Sequence, residues 1–257
     1  MCSEALHPAF DRDRFLLRQQ LLALTGEKYY VWDEAGEVLL FMERPYHTLR
    51  SLAAVLAGTI AAGVVIVLGF LVASLLPKGA ATAAVGGGGV LLGLVALVVV
   101  AVTLTPRRHL TIYRDDTKRE PLLHIRQDHK WTFLRASYTV ETPRGEMLGR
   151  LEKNYIYNLF RKRWYLYGPD GAVIVTAFED SLLLSMLRRL LGPLFGVLRT
   201  NFIIALGEDD RVVVGEFNRK FTLLDRYVLD LTRDRERTLD RRLAVALGVM
   251  LDTGERR

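Results

Sequence analysis

Two uncharged apolar runs, Ser51 to Leu76 and Gly79 to Thr105, lie one after the other in a chain that is otherwise patterned like a water-soluble β protein. Each is about 25 residues, and at about 1.5 Å per helical residue that exceeds the roughly 30 Å of a bilayer's hydrocarbon core. Buried helices of soluble proteins rarely run that far without a charge, so the pair predicts a transmembrane helical hairpin. The first run is too long, and too far from Met1, to be a cleavable signal. Pro77 ends the first span and Gly79 allows a tight turn. The run Gly86 to Gly89 weakens a helix. Starting the second span after it would leave about 16 residues, short for a crossing, so the second span is expected to begin near Ala80. No ionisable residue falls inside either span, so nothing marks an ion or proton path. Small residues recur at four-residue spacing, Ala54, Gly58 and Ala62 in the first span and Gly89 and Gly93 in the second. Such ladders let backbones approach closely. They suit packing of the two spans on each other or on a second copy, which leaves a homo-oligomer through these faces open.

Arg44, His47 and Arg50 precede the first span, and Arg107, Arg108 and His109 follow the second; only Lys78 lies between them. The excess of basic flanks predicts that both ends stay in the cytoplasm. The expected protein is an integral protein of the plasma or inner membrane with two spans, and both polar segments face one side and can form one domain. The net charge of +6 suits an anionic lipid surface. No Lys/Arg tract of the kind that binds nucleic acid is present. Cys2 is the single cysteine, so no disulfide framework is possible, in agreement with a reducing compartment.

The polar part reads as hairpins. Lys28 to Asp33 and Glu37 to Glu43 flank a Glu-Ala-Gly turn, and His109 to Arg114 and Pro121 to Gln127 flank Asp115-Asp116. Ala136 to Thr142 and Glu146 to Glu152 flank Pro143-Arg144-Gly145, and Arg163 to Tyr167 and Ala172 to Phe178 flank Gly168 to Gly171. Thr200 to Leu206 and Arg211 to Glu216 flank Gly207 to Asp210. Val, Ile and aromatic residues bounded by Gly, Pro and Asp are the strand signature. With Phe15 to Leu21 and Arg226 to Leu231 the count is about twelve, which favours a closed antiparallel barrel. Residues 1–48 would supply its first strands, 49–106 the hairpin and 107–257 the remainder. Two further helices are expected, one over Ser181 to Leu191 and one over Thr238 to Leu251. The second is apolar on every face, with Leu243, Val245, Leu247, Val249 and Leu251, and too short to cross a bilayer. Such a helix would be well placed threading the barrel lumen.

Several stretches carry a resemblance: Phe15-Leu16-Leu17-Arg18-Gln19, Glu27 to Asp33 with Gly36, His109-Leu110-Thr111-Ile112, Trp164-Tyr165-Leu166-Tyr167, Tyr227 to Leu231, and Leu239-Asp240-Arg241-Arg242-Leu243 before the apolar helix. Their order resembles the phospholipid scramblase and LURP-one-related family, which has the tubby-like fold. The resemblance implies a twelve-stranded barrel around a central C-terminal helix. The membrane hairpin is an insertion relative to that pattern. A Pro-rich N-terminal arm and a cysteine cluster, features of the animal scramblases, are absent from this sequence. Their acidic calcium-binding segment corresponds to Asp225, Asp230 and Asp234, here interleaved with Arg226, Arg233 and Arg235. Calcium prefers six to eight oxygens with little opposing charge, so calcium binding is not expected.

The candidate lipid-headgroup residues are Arg107 and Arg108 at the membrane exit, Arg161-Lys162-Arg163 before an aromatic strand, Arg188-Arg189 on the expected helix after Ser181, and Arg219-Lys220. A solvated strand end accounts equally well for Arg161-Lys162-Arg163 and for Arg219-Lys220, and a topology signal alone for Arg107 and Arg108. The Ser181 to Leu191 helix with Leu194-Phe195 fits an interfacial element or a plug at one barrel end. His124 and His129 lack the companions a metal site needs. No nucleophile motif, phosphate loop or zinc spacing appears, and the acidic residues read as surface solvation. The expected protein is therefore a non-enzymatic, membrane-anchored barrel without cofactor or metal that binds phospholipid at the cytoplasmic leaflet. The alternatives are a protein that moves lipid between leaflets and a membrane-tethered signalling or interaction module.

Overall fold

The structure, a computed structural model, describes residues 6–20, 26–45, 48–107, 109–130, 134–155, 162–180, 201–208, 211–220 and 226–253, with backbone alone at 19, 20, 26, 27, 44, 45, 48, 219, 220 and 226. Twelve strands alternate in direction: β1 (Arg14–Gln20), β2 (Gly26–Trp32), β3 (Val38–Pro45), β4 (His109–Tyr113), β5 (Pro121–Gln127), β6 (Arg135–Glu141), β7 (Met147–Asn154), β8 (Arg163–Tyr167), β9 (Val173–Glu179), β10 (Phe202–Leu206), β11 (Val213–Lys220) and β12 (Arg226–Asp230). Each pairs antiparallel with the next, and β12 pairs with β1 through Arg14↔Asp230 to Arg18↔Arg226, which closes the barrel. The strand β3 pairs directly with β4, Met42 opposite Ile112, although sixty-odd residues separate them in sequence. The insertion therefore leaves the barrel wall unbroken.

Closure without crossovers gives the barrel two distinct ends. The turn end carries the β2–β3, β4–β5, β6–β7, β8–β9 and β10–β11 connections and the segment after β12. Gly36 and Gly145 there adopt φ of 85° and 84°, the left-handed geometry that tight hairpins demand and glycine tolerates. The other end, here the tether end, carries the β1–β2, β5–β6, β7–β8, β9–β10 and β11–β12 connections, and there the chain leaves β3 and re-enters β4.

Along each strand every second residue points inward. Phe15 and Leu17, Leu110 and Ile112, Leu123 and Ile125, Trp164 and Leu166, Val175 and Ala177 are all buried in one apolar core. That core also holds α3 (Arg241–Thr253). Leu243, Val245, Leu247, Val249 and Leu251 are each at most 3% exposed, and so are the alanines between them. A Cβ on Gly149 of β7 would lie 3.2 Å from Leu243, and one on Gly248 would lie 3.4 and 3.5 Å from Phe217 of β11 and Leu229 of β12. The helix thus touches walls on well-separated arcs of the barrel. It begins three residues later than the sequence suggests. Asp234 accepts from the backbone N–H of Thr238 at 3.0 Å and of Leu239 at 3.1 Å, holding them in a turn, and Asp240 then caps the helix through the Arg242 N–H at 2.8 Å.

Residues Tyr46–Arg107 form a separate compact unit. Its two helices, α1 (Thr48–Ser74) and α2 (Ala80–Leu104), are long and apolar enough to cross a membrane, and Gly86 to Gly89 lie inside α2. They pack through small residues. Gly69 and Gly89 meet backbone to backbone, a Cβ on Gly89 falling 2.9 Å from the Gly69 Cα, and a Cβ on Gly58 would strike the Leu97 carbonyl at 2.7 Å. Ala54, Ala62, Gly89 and Gly93 are buried at the same contact. The faces that the sequence equally offered to a second copy are thus taken up within one chain. Outward, Leu52 is 67% exposed and Leu91 65%. The hydroxyls of Thr59 and Thr103 bond their own helix, to Val55 and Val99 carbonyls at 3.0 and 2.8 Å, so neither needs water. The expected helix over Ser181 to Leu191, with Leu194-Phe195, lies outside the described residues.

Candidate functional site

The strand directions decide where the candidate basic residues belong. Arg163 opens β8 and Arg219-Lys220 close β11, all three at the tether end. Lys162 precedes β8 there, half-buried, its carbonyl accepting from the Glu179 N–H at 3.0 Å. Arg163 is half-buried with its guanidinium 5.8 Å from the Phe178 ring centroid. Arg107 is exposed just after α2. Arg108, Arg161, Arg188 and Arg189 lie outside the described residues, and chain order assigns them to segments that join tether-end strand termini.

Charge is divided unequally between the two ends. The segments that join tether-end strand termini hold Arg107, Arg108, Lys130, Arg161, Lys162, Arg188, Arg189 and Arg199 against Asp128, Asp180 and Asp225. The turn-end segments reverse the balance. Asp33, Glu34 and Glu37 in one turn and Glu208, Asp209 and Asp210 in another face only Arg211 between them. By sequence, then, the tether-end connections are net basic and the turn-end connections, counting also Arg114, Lys118, Arg119, Arg144, Arg233, Arg235 and Arg237, are net acidic.

The inner wall at the tether end is also unlike the rest of the core. Gln127, Lys153 and Glu179 occupy the last inward positions of β5, β7 and β9, all buried. The Lys153 ammonium lies 5.4 Å from the Trp164 ring centroid and 5.2 Å from that of Tyr155. Asp252 and Thr253, at the end of α3, are buried too. The alternation of each strand predicts these inward positions, but nothing in their local pattern marks them as polar exceptions.

At the turn end the sequence reading needs correction. Asp234, read as one solvated charge among arginines, is 5% exposed. Its carboxylate accepts from Arg241 at 2.6 Å and from the Thr238 hydroxyl at 2.7 Å. Arg241, 2% exposed, also reaches Asp13 at 2.7 Å and the Leu239 carbonyl at 3.0 Å. A cation in the first turn of a helix opposes the macrodipole, and these two carboxylates offset it. Burial pushes the Asp234 carboxyl up, but the bonds from Arg241, Thr238 and the Leu239 N–H outweigh it and hold the group below the ordinary 3.8. Asp230 behaves alike: burial raises it, and Thr232 and Arg14 bring it lower. Around this pair, Arg237 binds Asp11 and Arg14 binds Glu34 and Asp230. The available signal was Asp234 four residues before Thr238, a capping spacing, ahead of an otherwise apolar helix.

His124 bonds Thr111 through Nδ1 at 3.1 Å, and burial, then Arg126, lower its pKa against the pull of Glu141. Among the described residues no group of three or more His, Cys, Asp or Glu side chains is placed to hold a metal. Comparison of the chain with protein-family models and with curated proteins finds no match.

Proposed function

We propose that this chain is a membrane-tethered barrel that holds anionic phospholipid headgroups at its tether end and catalyses no reaction. The carrying observation is that the four described candidates of the barrel, Lys162, Arg163, Arg219 and Lys220, all lie at the end of its strands where the chain departs for α1 and returns from α2, with Arg107 in the return segment itself. Two residues, Tyr46 and His47, join β3 to α1, and four, Thr105–Arg108, join α2 to β4. At about 3.5 Å per extended residue these links reach roughly 7–14 Å. If α1 and α2 cross the bilayer, the basic end sits within about a Debye length of the headgroups, where each Lys or Arg contributes about 1 kcal/mol. The basic flanks favour the cytoplasmic side for that end and for both termini.

The resemblance to the scramblase and LURP-one-related family enters this reading as architecture. Strand order, barrel closure and a last helix buried on every face support a tubby-like barrel with α3 as its axis. The Arg-paired carboxylates Asp230 and Asp234 support a version of that fold in which cationic side chains stand where calcium would be held.

The test uses the full chain reconstituted in vesicles containing photoactivatable phosphatidylserine. Cross-links should map to peptides holding Arg161–Arg163, Arg188-Arg189 and Arg219-Lys220, and fall in about 1 M salt, where screening shortens to about 3 Å. Equal labelling of the turn-end peptides would overturn the proposal.

A further inference from the structure

We infer that Arg18, Arg226 and Lys220 form a phosphate-binding row on the outer wall of the barrel, at its tether end. This deepens the reading above and rests on it only for a lipid as the source of the phosphate. Three outer-face rows cross β1, β12 and β11, alternating with the buried Phe15, Leu17, Tyr227, Leu229 and Phe217. In the first row, toward the turn end, Arg14 stands opposite Asp230 and Asp230 opposite Glu216. It is neutralised: Arg14 reaches Asp230 at 2.9 Å, and Arg233 reaches Glu216 at 2.7 Å. The second row, Leu16, Val228 and Asn218, carries no charge. The third places Arg18 opposite Arg226 and Arg226 opposite Lys220, and holds cations alone.

Like charges directly opposite on neighbouring strands repel. Elsewhere on the outer wall carboxylates relieve this. Glu141 lies 3.3 Å from Arg126, and Glu152 lies 3.5 Å from Arg135 and 2.9 Å from Arg150. The acids of the first row stand four residues along the strands from the third, about 13 Å away. Among the described residues the register and diagonal neighbours of the third row are uncharged, except Lys28, which adds a fourth cation beside Arg18. Neither Arg18 nor Lys28 makes an ion pair among the described residues. The one carboxylate next in the chain to a member of the row is Asp225, outside the described residues. A phosphate monoester suits such a row. It carries close to two negative charges, and its oxygens take paired bonds from Arg and a point contact from Lys. Strands about 4.8 Å apart set the three backbones within about 10 Å, in reach of one such group for side chains of this length.

The experiment uses the full chain in detergent micelles. Thermal melting is followed as inorganic phosphate is added, against chloride at matched ionic strength. Phosphate should raise the melting of the wild type and of Arg14→Gln, a change in the neutralised row, alike. Arg18→Gln and Arg226→Gln should each need about tenfold more phosphate for the same rise. In low salt without phosphate, Arg18→Gln should melt no lower than the wild type, because it removes a repulsion. No effect of phosphate on the wild type overturns the inference and leaves the phosphatidylserine cross-links of the proposed function to stand or fall separately. A lower melt of Arg18→Gln in low salt also overturns it, because Asp225 or another internal partner then satisfies the row. An equal loss in Arg14→Gln overturns it as well, since net charge alone then attracts the anion. Phosphatidic acid added to the micelles identifies the source. A rise that Arg18→Gln abolishes supports a lipid headgroup, whereas a rise from inorganic phosphate that phosphatidic acid does not reproduce overturns the lipid source and assigns the row to a soluble phosphate ester.

Discussion

The barrel and the hairpin bury opposite kinds of residue. In the barrel the large apolar side chains are inside: Phe15, Leu17, Trp164, Phe217 and Leu247 are each at most 2% exposed. In the hairpin the smallest residues are inside, Ala54, Ala62, Gly89 and Gly93, and the large ones are outside. Of the 24 exposed large apolar residues among those described, twenty lie between Leu49 and Leu104. Water drives large apolar surface inward and leaves backbone packing secondary. Lipid removes that drive and leaves close backbone contact as the main source of helix association. One chain thus carries two packing solutions, one with its large apolar side chains inside and one with them outside.

Leucine-to-aspartate changes break the comparison most sharply. Leu247→Asp places an unpaired charge in the centre of the barrel core and should abolish the folded barrel, several kcal/mol being lost. The same change at Leu92, 62% exposed, should leave the barrel's melting untouched yet impair membrane integration by about 3 kcal/mol. Normal integration of the Leu92 variant would mean that the hairpin faces water.

Next in size is Asp234→Asn, expected to cost about 3 kcal/mol because Arg241 keeps only Asp13 as a carboxylate partner. The matching pH dependence has a fixed sign. Asp234 is lowered in the fold, so its contribution is complete above the ordinary carboxylate value of 3.8 and disappears as pH falls below it. Denaturant melts of the wild type should lose stability in that range, and melts of the Asn variant should lose less. A steeper acid loss in the variant would contradict the buried pair.

The smallest effect concerns the hairpin seam. Gly89→Leu must push the Gly69 backbone away and should weaken helix pairing by about 1–3 kcal/mol, whereas Gly87→Leu points into open space and should change little. Distance measurements between labels on α1 and α2 separate the two outcomes, and equal effects would mean that the seam lies elsewhere.

Much of this architecture is legible before any coordinate is seen. Pro121 to Gln127 and Arg163 to Tyr167 are bounded as expected, because period-two alternation ends in Gly, Pro or Asp. Lipid-length helices announce themselves through the missing charges alone. The strand β11 shifts to Val213–Lys220 since the Leu206 N–H closes a longer turn on the Val212 carbonyl. Lys153 was not legible, and Asp234 only through its spacing to Thr238: a charge among arginines and a lysine near a strand end look solvated unless the strands around them are assembled. The choice between helix pairing within one chain and across two copies was also beyond the sequence, since the same ladder of Ala54, Gly58 and Ala62 serves either.

The most direct test of the whole account is sidedness. In sealed vesicles an impermeant maleimide is offered to Lys78→Cys and, separately, to Val212→Cys, each in the Cys2→Ser chain. The account requires the two cysteines to react from opposite sides of the membrane, the hairpin turn on one and the barrel on the other. Modification of both from the same side would show that α1 and α2 do not cross, and the membrane reading of this protein would fall with it.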